Sequence, residues 1–144
     1  MANTSELKKV SKYTTDMAAN ILGITLIRKS ILIGSTKYKI FDGVSPDNRV
    51  VAKVINHSGF TSGKNKPSAK IRNTFAECYF LSLTGAECKY LIITDPEFYQ
   101  IFKNESIGLL ESNNIKLLLI ELPEEYRSIV SLVTEQASEE MSKK

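Results

Sequence analysis

Apolar positions along the first part of the chain recur with a helical period. Leu7, Val10, Met17, Ala18 and Ile21 share one face if residues 4–22 wind as an α-helix. Thr4 or Ser5 supplies a cap, and Gly23 supplies a stop. From residue 24 the period shortens, and three β-rich runs follow at 24–33, 37–41 and 49–55. Gly34-Ser35 separates the first two, and a turn-rich stretch from Gly43 to Asn48 separates the second from the third. Connections this short join antiparallel neighbours, so the pattern predicts a three-stranded meander.

The remainder alternates helix and strand. A polar loop from His57 leads to Pro67-Ser68, which opens a helix to about residue 83, with Gly85 beyond its end. Residues 89–94 and 115–122 are nearly continuous apolar runs, as expected of strands covered on both faces. Asp95-Pro96 caps a helix between them, and Pro123-Glu124-Glu125 starts a last one. From about Ser138 the polar end is expected to fray. The predicted order is α-β-β-β-α-β-α-β-α, one α/β domain with a mixed sheet flanked by helices.

Composition narrows the classes. A chain of 144 residues with 42% apolar and 24% charged residues suits one globular domain with a core. No apolar run reaches the ~18 residues of a membrane span, and the first residues have no secretory apolar core. Cys78 and Cys88 lack metal-type spacing and read as reduced thiols, which places the expectation in the cytoplasm. The net charge of +3 matters less than its distribution. Lys64, Lys66, Lys70 and Arg72 fall in an acid-free stretch, either a solvated loop or a patch for a phosphate-bearing partner.

The candidate chemistry lies around that patch. Asp42 ends the apolar run Lys37-Tyr-Lys-Ile-Phe, and Lys53 stands inside Arg49-Val-Val-Ala-Lys-Val-Ile. Strand alternation puts Val51, Lys53, Ile55 and His57 on one face, so Lys53 needs an anion nearby or a route to solvent. Asp42, Glu77 or a bound phosphate are the candidates. Glu77 shares a polar stripe with Lys70 and with Asn73 or Thr74 on the helix after the loop, while apolar residues on much of the remaining circumference predict a mostly buried helix.

This order and these residues resemble the restriction-endonuclease-like superfamily, the PD-(D/E)XK nucleases, over roughly residues 4–122, with its α-βββ-α-β core. In that family an acid ends the second core strand and the next strand bears an acid-x-lysine. Asp42 matches the first acid and Lys53 the lysine, while Val51 occupies the place of the second acid. The resemblance implies that Glu77 on the helix replaces that acid, as in members where it has migrated. It also implies Mg²⁺ held by Asp42 and Glu77, with Lys53 positioning the attacking water. In a second register the strand acid stands where Lys53 is and the helix supplies the lysine. Lys70 is then the catalytic lysine, and a charge reversal at the metal position works against catalysis.

The resemblance further implies DNA or RNA as partner, contacted through Lys64, Lys66, Lys70 and Arg72, no membrane, and compatibility with a homodimer. The loop is not a Walker A loop, since its glycines and lysines lack that spacing. His57 at a strand end reads as structural or as a base, Glu6 on the first helix as an acid able to approach the site, and Asp95 as a helix cap. Three readings follow: a Mg²⁺-dependent phosphodiester hydrolase, an inactive nuclease-fold module that binds nucleic acid or a protein, and an unrelated α/β domain.

Overall fold

The computed structural model describes residues 4–59 and 66–142, with side chains described for 5–59 and 66–133. Its elements are α1 (Thr4–Leu22), β1 (Ile27–Ile33), β2 (Lys37–Val44), β3 (Val50–Ile55), α2 (Ser68–Ser82), β4 (Cys88–Ile93), α3 (Pro96–Glu105), a 3₁₀ turn at Glu111–Asn113, β5 (Ile115–Leu119) and α4 (Glu124–Ser142). They build an α/β fold in which one mixed sheet has the order β1-β2-β3-β4-β5. The meander β1-β2-β3 is antiparallel, and β3-β4-β5 is parallel. The expected element order therefore holds, with the 3₁₀ turn added.

Local chemistry explains most boundaries. Gly23, at φ +69°, ends α1 in the left-handed conformation, and the chain enters β1 only at Ile27. Asp95 caps α3 by accepting the Phe98 amide at 2.8 Å, with Pro96 at the first helical position. Helix α4 is described to Ser142.

Gly43 corrects the expectation more usefully. It belongs to β2 rather than to the following turn, because the strand runs on through Asp42 to Val44. A Cβ at Gly43 would lie 2.9 Å from Thr15 Cγ2 and 3.2 Å from Leu26 Cβ, so glycine is what lets α1 close on the sheet. The turn itself comes later: Asp47 accepts the Ser45 hydroxyl at 2.8 Å and the Arg49 amide at 3.1 Å, and Asn48 takes φ 61°.

The sheet separates two apolar layers. Phe41, Val51, Ile55, Leu91 and Ile93 pack with Leu81 of α2 and with Phe98 and Phe102 of α3. On the opposite face Ala52, Val54 and Ile92 pack with Ala18, Leu26 and Ile120. Each fully buried phenylalanine contributes about 1.5–3 kcal/mol of hydrophobic stabilisation. Helix α2 is less enclosed than its composition suggested. Ile71, Thr74, Cys78 and Leu81 are buried, whereas Ala76 is exposed and Tyr79 is 62% exposed.

Candidate active site

The β2–β3 ladder is short. Its pairs are Val44 with Val51 and Gly43 with Ala52, and the next residues in register are Asp42 and Lys53. There a side chain replaces the backbone partner: Asp42 Oδ2 accepts the Val54 amide at 2.7 Å. The carboxylate thus satisfies a β3 donor that the ladder leaves open.

Lys53 lies between Val51 and Ile55 in the alternation of β3, toward the α2 layer. Its ammonium resolves the burial problem by standing between two acids. Lys53 Nζ is 3.7 Å from Asp42 Oδ2 and 3.7 Å from Glu77 Oε2. Glu77 is reached from β2 as well, since Lys39 Nζ lies 3.3 Å from Glu77 Oε1. The same Lys39 ammonium sits 4.7 Å from the centre of the Phe80 ring. The chain of charges Asp42–Lys53–Glu77–Lys39 is half-buried and formally neutral, with side-chain exposures from 13% at Asp42 to 27% at Lys39.

A cleft of about 430 Å³ opens beside this chain, lined by Lys53, Asn56, His57, Asn73 and Glu77 among others. Asp42, by contrast, lines a separate groove against α1. The Asp42 carboxylate therefore meets the cleft only through its ion pair with Lys53.

The other sequence candidates fall around this centre. Lys70 turns to the loop after β3, donating to the Ser58 carbonyl at 2.9 Å and the Ser58 hydroxyl at 3.2 Å. Burial lowers the Lys70 pKa, and Asp95 opposes that shift. His57 stacks edge-on against Phe98 at 5.5 Å, and its pKa is lowered by burial first and by the Lys70 charge second. Lys66 is exposed and pairs with Glu105 at 3.1 Å, and Arg72 is exposed. Lys64 lies outside the described residues. Glu6 pairs with Lys9 on α1 at 3.2 Å. Asp95 serves as a cap and also accepts the Gly59 amide at 3.0 Å, tying the loop to α3.

Val51 explains its own lack of charge. It is fully buried in the core between the sheet and α2, where a carboxylate would be desolvated without a partner. Cys78, next to Glu77, is buried, and burial followed by the Glu77 charge pushes its thiol up to about 12. Sequence reasoning missed Lys39. Its alternation with Phe41, which packs in the α2 layer, carried the signal.

Whether the site suits Mg²⁺ depends on its donors. Among the described residues no group of three or more His, Cys, Asp or Glu side chains is placed to hold a metal. Two carboxylates converging on one point do suit an ion that takes one or two protein carboxylates and completes its shell with phosphate and water. The Lys53 ammonium stands at that point, so metal binding requires it to swing aside. Compared with known proteins, the chain matches no family model, no curated protein and no solved structure at a significant level. Among the described residues no helix is long and apolar enough to cross a membrane.

Proposed function

We propose that this chain is a nucleic-acid-binding protein of restriction-endonuclease-like fold that hydrolyses phosphodiesters, as a Mg²⁺-dependent deoxyribonuclease. The observation that carries the reading is the meeting of Asp42, Lys53 and Glu77, from β2, β3 and α2, with Lys53 and Glu77 lining one cleft. The α-βββ-α-β order around them supports the same reading. Asp42 and Glu77 are the residues that would hold Mg²⁺, which when bound polarises the phosphate and lowers the pKa of a coordinated water.

The chain's own residues do the remaining work. Lys53 leaves the two carboxylates for a non-bridging phosphate oxygen, where its charge stabilises the negative charge that develops as water attacks phosphorus. The P–O bond to the leaving strand breaks, the attacking water gives up a proton to solvent, and the departing oxygen takes one from solvent. Asn73 and His57 line the cleft and limit how a backbone is seated. The exposed Lys66 and Arg72 supply non-specific phosphate attraction from α2 and the segment before it.

The neutral chain of charges favours a second reading. Because Lys39 and Lys53 already balance Glu77 and Asp42, the same fold could bind nucleic acid or a protein without hydrolysis. Incubation of DNA and RNA with Mg²⁺ or Mn²⁺ distinguishes the two, with Asp42→Ala as reference. Cleavage lost in the variant supports the enzyme. Salt-sensitive binding without cleavage supports the second reading, and binding with no salt dependence counts against nucleic acid as the partner.

A further inference from the structure

Asp42 also faces α1. The groove it lines there, about 310 Å³, lies between α1 and the start of β1, with Lys8 and Lys12 on the helix side and Arg28 on the strand side. Its buried lining includes Leu26 and Thr15. Lys12 is compensated by Asp16 at 3.1 Å. Lys8 and Arg28 are exposed and form no ion pair among the described residues. A second observation marks the same groove. Thr15 Oγ1 is a buried side-chain oxygen without a hydrogen-bond partner, the one such atom among the described residues.

We infer that this groove seats the sugar–phosphate backbone of the nucleic-acid strand whose phosphate is presented at Asp42, with Lys8 and Arg28 as its phosphate contacts. The inference rests on the proposed function and adds a binding surface opposite the Lys66–Arg72 segment. Three features select this ligand. Cations from two elements line the groove, which suits a linear polyanion lying along it. The apolar floor at Leu26 suits sugar carbons between charged phosphates. The groove lining includes the carboxylate that also touches Lys53, so a strand lying in it is next to the reactive centre. The two acids of the lining are offset in the free protein, Asp42 by Lys53 and Asp16 by Lys12.

The test is fluorescence anisotropy of a labelled single-stranded oligodeoxynucleotide, titrated with the full chain over a salt series. Lys8→Glu/Arg28→Glu is compared with Lys9→Glu, a charge reversal on the same helix outside the groove lining. The double variant is expected to bind at least about tenfold more weakly, with a log–log salt slope shallower by about 1.4 for two lost contacts. Lys9→Glu is expected to stay close to wild type. Lys8→Ala/Arg28→Ala, which only removes charge, should show the same loss in smaller measure, and thermal melting confirms that each variant is folded. Equal losses in Lys9→Glu and the double variant overturn the groove, as does wild-type affinity in the double variant. In both cases the proposed function stands. Absence of binding by the wild type overturns groove and function together.

Discussion

Asp42 and Lys53 face each other at the place where β2 and β3 stop pairing, and a single oxygen, Asp42 Oδ2, serves both the Val54 amide and the Lys53 ammonium. A catalytic candidate is thereby also a structural acceptor, so the two roles respond differently to substitution. Asp42→Asn keeps an acceptor for Val54 but loses the ion pair with Lys53, so it should cost less stability than Asp42→Ala. Asp42→Ala leaves that amide unpaired and should cost about 1–3 kcal/mol. Urea unfolding measures the difference, and equal stability of the two variants would remove the structural role.

Lys53 keeps two carboxylates from facing each other uncompensated. Lys53→Met should destabilise the fold by about 1–3 kcal/mol, less than a fully buried pair because all three side chains retain some exposure. With the ammonium gone, Mg²⁺ should bind between Asp42 and Glu77 more readily and raise the melting temperature of the variant more than that of wild type. A Mg²⁺ response identical in both proteins would deny that the ammonium occupies the metal position.

His57 makes a pH prediction. Its folded pKa lies below the ordinary value of 6.5, so below pH 6.5 the unfolded chain binds the proton first. Stability should fall as pH drops through 6.5 and level off below the folded pKa. His57→Gln should remove this component, measured as a smaller difference in unfolding free energy between neutral and mildly acidic buffer. Asp47, lowered mainly by its bond from the Ser45 hydroxyl, acts in a separate window below the ordinary carboxylate value.

Thr15 predicts a gain. Its buried hydroxyl has no partner among the described residues, so Thr15→Val should stabilise the free protein by about 1 kcal/mol while keeping the side-chain shape that packs near Gly43. Thermal melting tests this, and a loss of stability would mean that the hydroxyl is satisfied in solution.

Features decided by near neighbours in sequence were legible. The Asp95-Pro96 cap, the Gly23 stop and the meander follow from turn and cap chemistry acting over a few residues. The need of Lys53 for an anion was also readable, because Val51 and Ile55 flank it in the alternation. Glu77 could be named from its helical stripe, but Lys39 meets it across a gap of many residues, and no local pattern announces such a pair. The exposure of Tyr79 shows the opposite failure: apolar residues do not all reach the core, since a surface retains much apolar area. Gly43 read as a turn because its role is to admit α1, a tertiary demand.

The central claim is that Glu77 on α2 does the work of the acid for which the strand position at Val51 has no room. Single-turnover cleavage of labelled DNA in Mg²⁺ by wild type and Glu77→Gln, at matched DNA affinity, addresses it most directly. Cleavage by wild type and a loss of about a hundredfold or more in the variant is the predicted result. Wild-type rates in Glu77→Gln, or no cleavage by either protein, would contradict it.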